Sequence, residues 1–168
     1  NKNITLNENI QPELLMISGN DNYTISGNGS LSGAMILDKT GEGTLTINGN
    51  HSYTGKTDIW EGILVFNGKL NNSPVTVRRH AGFSGKTFVG NNLSTEFNAS
   101  VYPGGISKAD TMKITGNLNL ANGAKLVFDL SDNPTIADKQ AKRSDKTNDF
   151  LQIDGTLNLA TGSIIAIN

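Results

Sequence analysis

The chain has 168 residues, with 19 glycines and no cysteine, and its 14 basic and 15 acidic side chains give a net charge of −1. This balance gives no general attraction to nucleic acid or anionic lipid, and the lack of cysteine excludes disulfides and thiolate metal sites. The length and the 36% of apolar residues, in short alternating runs, favour one folded domain over disorder.

The first 40 residues have the least regular pattern. The runs at 14–17 and 23–25 are typical of strands, but their register is not assigned by the pattern. The first nine residues lack the apolar segment of a signal peptide, so we expect an internal segment or a mature product. No run in the whole chain approaches the roughly 20 apolar residues of a membrane-spanning helix.

Short strands are predicted along the rest of the chain, and helix signals are almost absent. The apolar runs alternate with Thr, Asn or Lys and are separated by Gly, Asn, Asp and Ser, so each strand has one inward and one outward side. Strands this short, with frequent turns, fit a sandwich, a barrel or a parallel solenoid. The clearest runs are 44–47, 63–66, 75–77, 118–120, 125–128 and 164–167.

Internal repetition favours the solenoid among these three folds. The string Gly-Thr-Leu-Thr-Ile begins at Gly43, and close variants begin at Gly116 and Gly155. Residues 116–129 align without gaps on residues 155–168, and the polar segment 131–148 between them is typical of a solvated loop inserted into one turn. A solenoid tolerates repeats of unequal spacing because each turn contacts mainly its neighbours.

One turn of such a solenoid can be read from residues 116–129. Leu118 and Leu120 are predicted to face the interior, and the asparagines between them to face outward. Gly123 turns the chain, since glycine accepts positive φ, and Leu126 and Phe128 then point inward as the next pair. The equivalent Leu157 is also expected to lie in the interior. The open ends of a solenoid expose strand edges, so a terminal cap is expected.

The segment 43–66 reads GTLTINGNHSYTGKTDIWEGILVF and closely resembles the passenger-associated repeat of bacterial autotransporters. The runs 71–77, 102–118 and 148–157 are similar to further stretches of that family, so the likeness covers about residues 41–168. The sequence departs from the family pattern at Glu61-Gly62, where two glycines are usual, and at residues 105–113. The fitting positions of the repeat are Gly43, Thr44, Leu45, Thr46, Ile47, Gly49, Tyr53, Thr54, Gly55, Thr57, Ile59, Gly62, Leu64 and Phe66.

The resemblance implies an all-β fold, a right-handed single-stranded parallel β-helix with a capping C-terminal region. We expect one domain over residues 1–168, with less regular coils in 1–40 and repeat coils in 41–90. Residues 91–168 are expected to form the C-terminal coils and the cap, with 131–148 as an inserted loop. In such a family this part is the stem and autochaperone region, which folds first outside the cell.

The function implied is a non-enzymatic module that promotes folding and outer-membrane translocation of a passenger and displays an upstream effector or adhesive region at the bacterial surface. Its expected partners are a downstream outer-membrane β-barrel translocator and the upstream coils, without nucleic acid binding or membrane insertion. The expected location is the bacterial cell surface, after passage through the periplasm, with or without release by cleavage. A second hypothesis is an adhesin or host-factor-binding surface in the stem, and a third is a carbohydrate-active β-helix, disfavoured because the six phenylalanines are expected to be mostly internal.

No catalytic residue, cofactor or metal site is expected from the motifs. His51 and His80 are the two histidines, and both are predicted to lie at solvent-facing turns rather than to act as bases. If Ile59, Leu64 and Phe66 face inward, their neighbours Trp60, Ile63 and Val65 face outward. These three apolar side chains would then either form a partner surface or pack under an adjacent loop. With two basic residues at a turn, the candidate partner surface comprises Trp60, Ile63, Val65, Arg78 and Arg79.

Overall fold

The computed structural model of the protein describes residues 1–106, 110–129 and 148–168. These ranges hold only strands and their connections, with no helix that is long and apolar enough to cross a membrane. The strands are β1 (Lys2–Leu6), β2 (Leu14–Ile17), β3 (Tyr23–Gly27), β4 (Ile36–Lys39), β5 (Thr44–His51), β6 (Thr57–Ile59), β7 (Ile63–Leu70), β8 (Val75–Val77), β9 (Gly82–Gly85), β10 (Thr87–Val89), β11 (Leu93–Thr95), β12 (Ser100–Pro103), β13 (Thr111–Ile114), β14 (Leu118–Leu120), β15 (Lys125–Phe128), β16 (Phe150–Ile153), β17 (Leu157–Leu159) and β18 (Ile164–Ile167).

Two parallel sheets wind around one interior. In the described part of the chain the larger sheet has eleven strands; its main path is β1-β3-β5-β7-β9-β12-β15-β18, and β10, β13 and β16 continue the distal half of β7. The smaller sheet has the order β17-β14-β11-β8-β6-β4-β2. The predicted parallel solenoid is confirmed. Its right-handed sense stays a prediction, in line with the strong preference for right-handed parallel crossovers.

The first turn contains β1 and β2, the second β3 and β4, and the third β5 and β6. The first two lie within residues 1–40, where the sequence pattern gave no register. There, β1 pairs with β3 and β2 pairs with β4, in the same way as the later turns. Between these strands the two turns are joined by an isolated bridge, Ile10 to Leu31, where later turns have longer strands.

Alternating side chains build the interior, as the pattern predicts. In β5 and β7, Leu45, Leu64 and Phe66 are fully buried, whereas Thr46 and Val65 are partly exposed on the outer face. Burial of one such apolar side chain contributes about 1.5–3 kcal/mol, so the continuous interior stack is the main stabilising feature of the fold.

The repeated sequences stack directly on one another. Leu118 pairs with Leu157, and Leu126 pairs with Ile165, as the gapless alignment predicts. Hydrogen-bonded asparagines lie 19 residues apart in one pair of turns and 39 apart in the last pair, so turns of different length keep one register. The predicted inserted loop 131–148 lies outside the described residues, apart from Asn148.

The last turn is open within the described residues, and no cap covers it there. Leu118 is fully buried, but its equivalent Leu157 is 40% exposed, because no described turn packs against the outer side of β17. Leu157 therefore points toward the interior side, as expected, but the expectation that it is buried is wrong. Other exposed side chains of this turn are Leu159, Ile165 and Ile167.

Candidate functional site

The corner that follows the smaller sheet brings three of the predicted surface residues together. Trp60 follows β6, and Arg78 and Arg79 follow β8 in the next turn. The backbone N–H of Trp60 donates to the carbonyl of Lys39, and that of Arg78 donates to the carbonyl of Ile59. Each turn therefore places its corner residue directly above the preceding one.

Arg78 is fixed by two carboxylates and one aromatic ring. Its Nε and Nη2 donate to Oδ1 of Asp58 at 3.0 and 2.6 Å, and its Nη1 donates to Oε1 of Glu96 at 2.7 Å. The guanidinium carbon lies 4.5 Å from the centre of the Trp60 ring, within the range of a cation–π contact. The hydrogen bond that Arg78 donates to Glu96, together with those to Asp58, raises the pKa of Arg78 further, so this cation is permanent.

Asp58 is the buried member of this charged group. Its side chain is 1% exposed. Lys56 Nζ lies 2.7 Å from Oδ2, whereas Arg78 binds the other carboxylate oxygen, Oδ1. The hydrogen bond and the charge of Asp58 raise the pKa of Lys56. A buried carboxylate needs such partners because desolvation of an unpaired charge is costly.

Replacing Arg78 by methionine is expected to lower the free energy of unfolding by about 2 kcal/mol, because Asp58 would then keep only the exposed Lys56 beside it. Arg79 has no acidic partner among the described residues, so Arg79→Met should change stability by less than about 0.5 kcal/mol. Urea unfolding of the two variants makes the comparison. Equal losses would contradict the assigned role of Arg78.

A second arginine–aromatic pair lies beside the first. The guanidinium carbon of Arg79 is 5.7 Å from the centre of the Phe97 ring, and His80 meets the same ring edge-on at 6.5 Å. Trp60 is 44% exposed and Phe97 is 42% exposed. The corner surface, defined as Trp60, Arg78, Arg79 and Phe97, thus presents two solvent-accessible rings, each with an arginine beside it.

Lys39 supports this corner from inside. Its side chain is buried, and its Nζ donates to the carbonyls of Thr40, Gly41 and Glu61 at 3.1, 2.6 and 3.2 Å. Burial lowers the pKa of Lys39, opposed by the nearby charge of Glu61. The three hydrogen bonds connect the corner of the second turn to Glu61 in the third turn. They therefore fix the backbone next to Trp60, which carries the exposed indole ring.

The structure does not bring Ile63 and Val65 to the corner surface. Both lie on β7, on the outer face of the larger sheet, beyond the bend that separates β6 from β7. Ile63 packs over Gly82, where an added Cβ would lie 3.2 Å from its Cγ1. The two residues therefore belong to another face of the solenoid.

Val65 lines a cleft of about 410 Å³ on that face. The segment after β12 forms part of the cleft's lining, and an ion pair of 3.1 Å joins Lys86 Nζ to Asp110 Oδ1 at its wall. Ser84 Oγ is buried there without a hydrogen-bond partner in the described part of the chain. The lining residues are Val65, Asn67, Ser84, Lys86, Gly104, Gly105, Ile106 and Asp110.

The two histidines differ in environment. His80 is exposed and has a positive φ of 62°, as expected of a turn residue. His51, in contrast, is 1% exposed at the end of β5, so its predicted solvent-facing position is wrong. Its Nδ1 already accepts a backbone N–H from Leu31, which leaves it unsuited to act as a general base.

Sequence reasoning missed Phe97, which completes the corner surface, and it missed Asp58 and Glu96, which hold Arg78 in place. Phe97 and Phe150 are exposed, so the expectation of mostly internal phenylalanines is wrong for these two, while Phe66 and Phe83 are buried. The described residues contain no group of three or more metal-binding side chains.

Comparison with known proteins gives one family match. A family model described as the passenger-associated-transport-repeat matches residues 37–66. The match begins inside β4, covers β5 and β6, and ends at Phe66 in β7, so it spans somewhat more than one turn of the solenoid. Searches of curated proteins and of solved structures give no match. The chain therefore carries, within a parallel β-solenoid, a segment that matches a repeat associated with autotransporter passengers.

Proposed function

We propose that the chain is a non-enzymatic structural module of an autotransporter passenger, which promotes folding and translocation across the outer membrane. The supporting observation is the match at residues 37–66, which coincides with a stacked structural unit of the solenoid. Such a unit buries its apolar face only when a neighbouring turn is present, so folding of one turn favours folding of the next.

Folding outside the cell can bias transport, because a folded turn cannot slip back through a narrow pore. The absence of cysteine suits passage as an unfolded chain, since no disulfide can form during transit. The proposed partners are a downstream outer-membrane β-barrel and upstream coils of the same passenger. The proposed location is the bacterial surface, reached through the periplasm.

Surface display tests this role. The chain is fused in front of an autotransporter β-barrel in a Gram-negative host, and the passenger on intact cells is measured by antibody labelling and by resistance to added protease. We expect the native chain to be displayed and resistant, and Leu118→Ala to reduce both signals because Leu118 is a fully buried interior residue. Arg79→Met is the matched surface control. Undiminished, resistant display of Leu118→Ala would contradict the proposal.

The corner surface supports a second candidate function, adhesion to a protein partner. Exposed Trp and Arg side chains are enriched among residues that dominate binding energy, and here two exposed rings lie beside arginines on a rigid corner. The double variant Trp60→Ala, Phe97→Ala should reduce adherence of displaying cells to one another or to host cells, with display unchanged. Met16→Ala, at another exposed apolar side chain, is the control. Unchanged adherence of the double variant would exclude this candidate.

A further inference from the structure

His51 lies in the interior at the junction of three turns. It ends β5 in the third turn, pairs with Leu70 of β7, and meets the Phe66 ring edge-on at 5.6 Å and 87°. The contact toward the second turn is a hydrogen bond of 3.0 Å from the backbone N–H of Leu31 to its Nδ1. One imidazole therefore joins the second turn to the third.

This hydrogen bond fixes the protonation state of the ring. Because Nδ1 accepts the Leu31 N–H, it carries no proton, and the neutral ring has its hydrogen on Nε2. Nε2 has no hydrogen bond of good geometry in the described part of the chain, although the backbone carbonyl of Asn48 lies near enough to favour protonation weakly. A doubly protonated ring would direct an N–H at the N–H of Leu31.

We propose that His51 is an acid-sensitive latch that holds the Leu31 corner of the second turn on the third turn of the solenoid. Protonation of Nδ1 removes the acceptor of the Leu31 N–H, for which the described residues offer no second one, and places two donors face to face. The latch rests on this contact and is independent of the proposed role in export.

The surroundings of His51 do not compensate a positive charge. From β7 it faces the Phe66 ring and Leu70, and the charged residue at that end of β7 is the cation Lys69, which pairs with Asn50. From the second turn it faces the Leu31 backbone, and on its own strand the Asn48 carbonyl. Asn71 approaches only the His51 carbonyl oxygen, and within residues 1–106, 110–129 and 148–168 no carboxylate acts on the ring.

Burial lowers the pKa of His51 below its ordinary value of 6.5, and the Asn48 carbonyl opposes the shift. A lowered pKa means that the unfolded or opened chain binds the proton more readily than the closed one. The contribution of the latch is therefore complete above pH 6.5 and is lost as the pH falls toward the lower pKa of the folded state.

Opening is expected to be local because the Leu31 corner has the least strand pairing in the first two turns. There Ile10 and Leu31 form an isolated bridge, in place of the longer strands of later turns. The flanking strands β3 and β5 remain paired in register, and Lys39 ties β4 to the following turn. Acid should thus loosen the corner first, while turns after β7 stay closed.

Amide hydrogen exchange by NMR tests the latch on the whole chain. The opening constant at the Leu31 amide, corrected for the intrinsic exchange rate, should stay constant between about pH 7.5 and pH 6.5 and rise by up to about tenfold per pH unit below pH 6.5. Amides of β11 and β14 should show no such rise. A Leu31 opening constant that does not change with pH would overturn the proposal.

Two variants separate His51 from other titrating groups. In His51→Asn the side-chain oxygen can still accept the Leu31 N–H but does not titrate, so the acid response at Leu31 should disappear even if overall stability is lower. His80→Asn, at the exposed histidine, should keep the native response. Should His51→Asn not fold, the nitrogen shifts of the native ring decide, because a proton on Nδ1 at neutral pH contradicts the latch.

Discussion

Replacing Gly68 by alanine is expected to lower the free energy of unfolding by about 3 kcal/mol or more. Gly68 lies in β7 at a φ of 144°, where a side chain is already strained. An added Cβ would also lie far inside van der Waals contact with the backbone carbonyl of Gly49 in the preceding turn. Because this neighbour is backbone of a paired strand, the two turns must separate to relieve the overlap.

Gly19→Ala is the matched control for this substitution. Gly19 also has a positive φ, of 102°, but an added Cβ would meet nothing within 4 Å. Gly19→Ala should therefore lower the free energy of unfolding only by the cost of backbone strain, about 1 kcal/mol. Urea unfolding followed through the fluorescence of Trp60, the single tryptophan, measures both variants. Equal losses would mean that the turns do not approach as closely as the structure shows.

Truncation of Leu118 to alanine should cost about 2–5 kcal/mol, the usual range for a buried leucine that leaves a cavity. Leu157 occupies the same position of the repeated sequence and pairs with Leu118, but it is 40% exposed. Leu157→Ala should therefore cost about 1 kcal/mol, since less apolar area returns to water. The same unfolding measurement compares the two, and a similar loss in both would contradict an open last turn.

The repeated sequence predicts the fold well because a solenoid translates sequence similarity directly into spatial stacking. Leu118 and Leu157 occupy the same place in two copies, and the structure pairs them. Alternation correctly places Leu45 and Phe66 inside and Val65 on the outer face. These assignments need only the alternation of neighbouring residues and the alignment of the two copies, and both can be read from the sequence.

Contacts between turns of unlike sequence were harder to predict. Arg78 bonds to Asp58 and Glu96, 20 and 18 residues away, and these spacings differ from that of the two clear copies. The register of the shorter turns is not visible without repeated sequence. The bend between Trp60 and Ile63 likewise places two residues that are close in sequence on different faces.

The sequence contains a signal for the burial of His51. His51 keeps the alternation of Leu45 and Ile47 through Gly49, and Leu70 holds the equivalent position of the next turn. The glycine and asparagines around it are typical of a turn, so the strand was expected to end earlier. The structure instead continues β5 to His51 and turns afterwards.

In-register stacking of the two copies is tested most directly by a disulfide introduced into this cysteine-free chain. Asn119 and Asn158 lie opposite each other in β14 and β17, with Nδ2 of Asn158 2.7 Å from Oδ1 of Asn119. The pair Asn119→Cys, Asn158→Cys should form an intrachain disulfide on mild oxidation, since directly opposite positions meet the distance that a disulfide requires. The pair Ser94→Cys, Asn158→Cys, two turns apart, should not. A failure of the first pair, or equally rapid cross-linking of the second, would contradict the stacked solenoid.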